Sequence, residues 1–156
     1  MSVIPYQSAH LPAMTEASIA KVRKLTDLSL KHLPQYPFVT EHRLHAGIYA
    51  RTVTIPGNGL VTGVLVKIPT ILIICGGVLV YMGEGEEPIQ VSGQKVFLGS
   101  AGRKQAFLSG SDFTMTMCFA TKAKTIAECE AEFTDEIELL WPLSDTERHD
   151  VQVTEE

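Results

Sequence analysis

Cysteine is scarce in this sequence, and its few residues are not spaced as metal ligands or as a disulfide framework. The three cysteines are Cys75, Cys118 and Cys129, and no two of them form a C-x-x-C pair. An odd number of widely spaced cysteines fits neither a set of structural disulfides nor a tetrahedral zinc site. The sequence therefore predicts reduced, buried thiols in a cytoplasm-like compartment.

The sequence also lacks clusters of basic residues. Its formal net charge is −5 and its isoelectric point is about 5.5, and its lysines and arginines are scattered along the chain. Proteins that bind nucleic acids or anionic membranes usually carry a basic patch. We therefore expect neither a nucleic acid nor a membrane as a partner.

A long apolar helix is missing as well. The most apolar run, from Ile68 to Met82, is rich in β-branched residues and is interrupted by glycines. It is too short to cross a bilayer as a helix and instead predicts a buried strand. The first residues lack the basic and apolar pattern of a secretory signal, so we expect no signal peptide and no transmembrane segment.

Between residues 38 and 121, turns rich in glycine separate short runs of β-branched and aromatic residues. Such runs predict strands. The predicted strands cover residues 44–55, 60–68, 70–75, 78–82, 89–91, 95–98, 104–108 and 113–120. Because no helical pattern interrupts this series, the sequence predicts a mainly β fold of the sandwich, jelly-roll or barrel type.

Helical patterns flank the β region on both sides. Thr15 is a predicted N-cap for a helix from Glu16 to Leu33, which Pro34 ends, and Thr125 with Glu128 has the form of a capping box. The predicted organisation is an N-terminal arm with a helix (1–37), a barrel (38–121), a C-terminal helical segment (122–143) and an acidic flexible tail (144–156).

Three segments of the β region resemble the small cupin-like proteins encoded by bacteriophages and prophages. They are H-A-G-I-Y-A-R at residues 45–51, T-I-P at 54–56 and I-L-I-I-C-G-G at 71–77. Residues 96–121 and the helix that follows resemble the second half of those proteins, so the similarity covers about residues 40–133. The resemblance implies a cupin-like jelly roll, an RmlC-like β-barrel. It also implies a phage origin, with the host cytoplasm or the virion as location.

The histidines that hold a transition metal in many cupins are missing from the corresponding segments. The first segment reads Val66-Lys67-Ile68-Pro69-Thr70, and residues 99–121 contain no histidine. A divalent metal needs at least three converging imidazole or carboxylate ligands, which these residues do not supply. We therefore expect no metal and no cofactor. With period-two alternation, Val64, Val66, Ile68 and Thr70 would line an apolar interior.

Two groups of residues are candidates for binding an anionic small molecule. His45, Tyr49 and Arg51 are predicted to share one strand face, where an arginine can hold a carboxylate or phosphate. The alternative is that Arg51 pairs with an acid near residues 84–87. Arg103 and Lys104 follow a glycine turn that can form an anion-binding nest, and the alternative there is a solvated turn.

Three functions remain open at this point. The first is a non-enzymatic structural or interaction protein that forms homo-oligomers or joins a phage particle as a decoration or assembly component. The second is a barrel that binds or sequesters a small molecule, such as a nucleotide or a sugar, in the infected cell. The third and weakest is a metal-independent sugar isomerase or epimerase, because no histidine–aspartate pair is evident. Fold alone does not decide between them.

Overall fold

The computed structural model describes residues 9–36, 38–140 and 148–156 of the chain. Its first helix, α1 (Glu16–His32), begins where the sequence predicts: the Thr15 side chain accepts a hydrogen bond of 3.2 Å from the Ser18 amide. Glu16 in the first turn and Lys31 with His32 in the last turn complement the helix dipole. The helix lies near the fourth strand, where the hydroxyls of Thr26 and Thr62 are 2.8 Å apart.

The described residues contain nine strands, of which the first precedes α1 and the last follows the C-terminal helix. They are β1 (His10–Leu11), β2 (Val39–His45), β3 (Ile48–Ile55), β4 (Leu60–Thr62), β5 (Thr70–Val80), β6 (Ile89–Val91), β7 (Gln94–Gly99), β8 (Ala106–Ala120) and β9 (Arg148–Val153). Seven of them run in the order β1-β7-β5-β8-β3-β2-β9, while β6 pairs with β5 and β4 pairs with β8. The mainly β fold with a helix on either side is therefore confirmed.

The two long strands, β5 and β8, fold the sheet over the core. One half of each belongs to the seven-strand order, and the other half pairs with β6 or β4. The bend in β5 lies at a register shift between Gly76 and Val78. Gly76 has a φ of 130°, and a Cβ there would come within 2.6 Å of Asp112 O and of Phe113 Cβ, so only glycine fits.

Several predicted strand limits are wrong for local reasons. The single strand predicted over residues 44–55 is divided between β2 and β3, because Ala46 and Gly47 both adopt positive φ angles, of 52° and 71°, and turn the chain into a hairpin. This turn could not be predicted from the sequence, since alanine is uncommon at a turn position with positive φ. Conversely, the predicted turns at 76–77 and 109–110 are bends inside the continuous strands β5 and β8.

The C-terminal helix α2 (Ile126–Phe133) is confirmed with its cap. The Thr125 side chain accepts from the Glu128 amide at 3.2 Å, while the Glu128 carboxylate accepts from Lys124 rather than from the cap residue itself. A short 3-10 turn follows at Ile137–Leu139. Within the described ranges, neither α-helix is long and apolar enough to cross a membrane.

The prediction of a flexible tail over residues 144–156 is wrong for residues 148–153. These residues form β9, which pairs in parallel with β2, and Arg43 donates to the Asp150 carboxylate at 2.9 Å. An unpaired β2 edge would present free amides and carbonyls, so an added strand satisfies them. Residues 144–147 lie outside the described part of the chain, as do residues 1–8 of the arm and residues 141–143 of the helical segment.

Candidate binding cavity

A cavity of about 180 Å³ extends into the barrel and is partly open to solvent beside Leu139. Its wall is mostly aliphatic, aromatic and thioether, and α2 and the 3-10 turn that follows contribute Phe133, Leu139 and Leu140. Val64 and Val66 line it as the sequence predicts, Ile68 packs against the core, and Thr70 is buried. The interpretation of a largely apolar interior is confirmed.

Arg51 reaches this cavity from β3, where alternation turns residues 49, 51 and 53 to the interior. Its Nη1 donates to the Glu130 carboxylate of α2 at 3.2 Å, and both side chains are almost fully buried. The alternative pairing with an acid near residues 84–87 is wrong, because the acid that Arg51 pairs with is Glu130, and Glu84 pairs with Lys21 of α1. The Arg51–Glu130 pair joins the sheet to α2 and is therefore a structural contact, while Arg51 alone of the two lines the cavity.

Behind Arg51 lies a buried chain of aromatic side chains. The Tyr49 hydroxyl is 2.7 Å from His42 Nδ1, and His42 Nε2 is 2.9 Å from His149 Nδ1 on β9. Burial, with the Arg51 charge nearby, lowers the pKa of His42 to about 4, and burial raises the pKa of Tyr49 to about 12. Both groups are therefore neutral at pH 7.

Arg103 is the second arginine of the cavity, and it is 2% exposed. Its Nη2 donates to the Thr70 hydroxyl at 2.8 Å, and its Nη1 donates to the Ser100 carbonyl. The guanidinium occupies the space that a side chain at Gly99 would fill. The alternative of a solvated turn at residues 99–104 is therefore wrong.

No carboxylate of the described residues pairs with Arg103, and its Nε has no acceptor among them. Burial lowers the pKa of Arg103 to about 10, so the side chain keeps its charge at neutral pH. Arg103 is thus a buried cation that hydrogen-bonds only to neutral oxygens, which is costly unless an anion joins it.

Lys104 is fully buried but points away from this site. Its Nζ donates to the Glu136 carboxylate at 2.7 Å, and Glu136 also accepts from the Leu65 amide at 2.9 Å and from Arg23 at 3.3 Å. Burial opposes ionisation of Glu136, yet the hydrogen bonds from Lys104 and the Leu65 amide hold its pKa below the usual range. The predicted pairing of Arg103 and Lys104 in one anion nest is therefore wrong.

His45 also lies apart from the cavity. It is exposed at the end of β2, and its Nδ1 is 2.7 Å from the Thr154 hydroxyl. The single face predicted for His45, Tyr49 and Arg51 is wrong, because the turn at residues 46–47 places His45 on a different strand. Of the five predicted site residues, Arg51 and Arg103 line the cavity, and Tyr49 lies next to it.

Sequence reasoning missed several polar residues that shape the cavity. Glu130 pairs with Arg51, Gln105 lines the wall, and Glu136 fixes the chain after α2. A signal for Glu130 was available: it lies among Cys129 and Phe133 on the apolar face of a short helix, where a carboxylate needs a cation. No comparable pattern marks Gln105.

The residues of the cavity do not fit a divalent metal. Among the described residues, the cavity wall contains no histidine, cysteine, aspartate or glutamate, and no cluster of three or more such side chains is placed to hold a metal. The polar groups present include two guanidinium cations, Arg51 and Arg103, which repel a metal ion. The wall is suited to an anion or a neutral molecule.

The comparisons with known proteins concern the fold only. No family model and no curated protein matches the sequence. A cupin superfamily protein from Desulfitobacterium hafniense matches with 13% identity and a TM-score of 0.40, over 58% of this chain and 73% of that one. A protein from Photorhabdus luminescens matches with 10% identity and a TM-score of 0.42, over 51% of this chain and 67% of that one.

A third partial match is an oxalate oxidase in complex with glycolate, with 15% identity and a TM-score of 0.37, over 49% of this chain and 43% of that one. In each of the three comparisons the alignment leaves about half of this chain unmatched. Similarity at this level carries no argument about ligand or reaction.

Proposed function

We propose that this protein is a cupin-like barrel that binds a small organic molecule in its interior. The observation that carries the proposal is the cavity itself, of about 180 Å³, whose mostly apolar wall includes Arg51, Arg103 and Gln105, and also Thr62, whose hydroxyl is already bonded to Thr26. Binding sites typically combine a mostly apolar wall with a few polar groups that orient the ligand. A dry cavity of about 150 Å³ is enough for a benzene-sized molecule.

Methionine side chains on β8 provide reporters for a direct test. Met115 and Met117 line the cavity, whereas Met14 lies near the Gly102 carbonyl and does not line it. With methyl-labelled methionine, titration of the full chain with toluene, benzamide or benzoate should shift the Met115 and Met117 resonances and leave Met14 in place. If all three probes leave the two cavity methionines unchanged, the proposed function fails.

A matched pair of variants tests whether the probes bind inside the barrel. Val53 lines the cavity, while its neighbour Thr54 is exposed on the outer face of the same strand. Val53→Phe adds volume inside the cavity and should abolish the shifts, at a cost of about 1–3 kcal/mol in stability. Thr54→Phe should retain them.

A structural or interaction role is the second candidate, favoured by an apolar patch on the outside of the large sheet. Ile71 is 44% and Val96 is 46% exposed, and their register partners Leu98 and Ile73 are half-buried beside them. Contiguous exposed apolar side chains are typical of protein–protein contacts. This patch supports a homo-oligomer, and attachment to a phage particle stays a prediction.

Sedimentation of the wild-type chain and an Ile71→Lys variant tests this role. If the patch joins two copies, the wild type sediments as an oligomer and Ile71→Lys as a monomer. Leu108, which is 53% exposed on β8, provides a control, since Leu108→Lys should leave the oligomer intact. A monomeric wild type would exclude the homo-oligomer, and failure to sediment with phage particles would exclude the virion role.

A further inference from the structure

We infer that the ligand of this cavity is a small carboxylate with a compact apolar body, and that its carboxylate binds the Arg103 guanidinium. This inference rests on the proposed function, since it assumes that the cavity takes a ligand. It narrows the ligand from any small organic molecule to one chemical class. Three properties of the cavity support it: the charge balance of the interior, the free donors of Arg103, and the size and character of the wall.

The interior charges do not balance among the described residues. Three cations are buried, and two of them have a carboxylate partner: Arg51 with Glu130 at 3.2 Å and Lys104 with Glu136 at 2.7 Å. Arg103 is buried to the same degree, and no carboxylate in the described part of the chain pairs with it. A buried charge is normally paired, because water cannot solvate it. A ligand anion is the partner that would balance the interior.

The donors of Arg103 are only partly used. A guanidinium carries five N–H donors, and the described contacts of Arg103 are with the Thr70 hydroxyl and the Ser100 carbonyl. Nε is buried without an acceptor. A carboxylate accepts strongly from a guanidinium, and the Nε donor, which has no acceptor among the described residues, is available to it. The two contacts present hold the guanidinium in a fixed orientation before a ligand arrives.

Gln105 adds a second polar group to the same wall. It lies two residues after Arg103, so both side chains line the cavity while Lys104 between them points to Glu136. Its amide nitrogen contacts the Met82 sulfur at 3.7 Å, a weak interaction that a ligand oxygen would replace favourably. A carboxylate near Arg103 would therefore find a neutral donor as well as a cation.

The rest of the wall favours a ligand whose remaining part, apart from the carboxylate, is apolar and small. Met115, Met117, Phe133 and Leu140 offer no hydrogen-bonding partner suited to a sugar hydroxyl, and a buried hydroxyl without a partner is unfavourable. The volume of about 180 Å³ is also below the roughly 300 Å³ of sites that hold larger ligands, such as a nucleotide. A ligand of about ten non-hydrogen atoms with one carboxylate fits both conditions.

The alternative is that Arg103 only stiffens the chain around Ser100, through its bonds to Thr70 and to the Ser100 carbonyl. In that case removal of its charge would change stability but not the choice of ligand. A charge-assisted hydrogen bond adds enough binding energy for at least about a tenfold preference over a neutral isostere. Ligand choice therefore separates the two roles.

The experiment compares carboxylates with their neutral amides on the full chain by calorimetry. The probe pairs are benzoate with benzamide and hexanoate with hexanamide. We expect the wild type to bind at least one carboxylate at least about tenfold more tightly than its amide. Arg103→Gln should remove this preference while the amide still binds, and Arg43→Gln, at an arginine on the outer face, should keep it.

The outcomes are distinct. If the amides bind and neither carboxylate binds more tightly than its amide in the wild type, the proposed function stands and the carboxylate inference is overturned. If no probe binds, the proposed function fails and the inference with it. Should Arg103→Gln not fold, Gly99→Ala provides the second variant, because its methyl group would occupy the place of the guanidinium. An unchanged preference in that variant would also overturn the inference.

Discussion

The cavity contains two buried arginines in contrasting surroundings. Arg51 donates to Glu130 at 3.2 Å, while the acceptors of Arg103 among the described residues are a hydroxyl and a carbonyl. Both side chains lie on the same cavity wall, and both are less than one tenth exposed. The difference indicates that Arg51 belongs to the architecture, since it joins the sheet to α2, whereas Arg103 is available to a ligand.

The largest expected effect comes from breaking the architectural pair. Glu130→Gln removes the carboxylate and leaves Arg51 as an uncompensated buried charge, which should destabilise the protein by about 3–5 kcal/mol. Arg103→Gln removes a charge that already lacks a carboxylate partner, so it should cost much less, about 1 kcal/mol for the lost hydrogen bonds. Urea unfolding of the two variants measures both values. Equal losses in the two variants would remove the distinction between the arginines.

Acid should lower the stability of the protein through His42, which lies near Arg51. The pKa of His42 is about 4 in the folded protein, against an ordinary value of 6.5, so the folded state binds fewer protons between these pH values. Stability is therefore complete above about pH 6.5 and falls as the pH drops towards 4, by at most about 3 kcal/mol. His149, whose pKa burial also lowers, adds a loss of the same sign.

The groups that face His42 are Tyr49, Arg51, Arg43 and His149. Protonation of His42 would place another cation among the two arginines, which explains the sign of the effect. Chemical denaturation at pH 4.5, 5.5 and 7 measures it, and a His42→Asn variant provides the control, in which the pH slope should shrink. A wild-type slope equal to that of His42→Asn would show that His42 is not the responsible group.

A smaller loss is expected where the chain after α2 is fixed to the barrel. Glu136→Gln takes the carboxylate from buried Lys104 and weakens contacts with Arg23 and the Leu65 amide, at an expected cost of about 2–3 kcal/mol. The neighbouring Asp135 is 86% exposed and pairs with Lys67, so Asp135→Asn should cost less than about 1 kcal/mol. Similar losses of stability in both variants would contradict the conclusion that Glu136 fixes the chain after α2 to the barrel.

The smallest expected effect concerns the space around Arg103. Gly99→Ala places a methyl group where the guanidinium lies, so it should displace Arg103 and lower stability by about 1 kcal/mol. In an Arg103→Met background the same substitution should be nearly neutral, because the side chain that it displaces has lost its fixed hydrogen bonds. A double-mutant cycle measures the coupling, and strictly additive effects would show that the two sites do not touch.

Much of the fold could be predicted from local sequence patterns. Capping residues predicted both helices, and the spacing of the glycines predicted the β region and most turns. The turn at Ala46 and the continuous course of β5 through Gly76–Gly77 could not be predicted, because alanine rarely turns a chain and paired glycines usually do. β9 was missed because its pairing with β2 joins residues more than a hundred positions apart.

The site could be predicted only in part. Arginine chemistry drew attention to Arg51 and Arg103, but spacing alone could not show that Glu130 neutralises the first and that no carboxylate among the described residues neutralises the second. Those partners depend on where α2 lies against the barrel, which is a tertiary property. Lys104 and His45 were assigned to the site from sequence proximity and a misplaced turn, respectively.

The central claim is that Arg103 holds a carboxylate inside the barrel. A crystal structure of the protein soaked with 4-bromobenzoate tests it most directly, because anomalous scattering locates the bromine without ambiguity. We predict the bromine among Met115, Met117 and Phe133, with the carboxylate within about 3 Å of the Arg103 guanidinium. A bromobenzoate bound only outside this cavity, or in the cavity with its carboxylate turned away from Arg103, would contradict the claim.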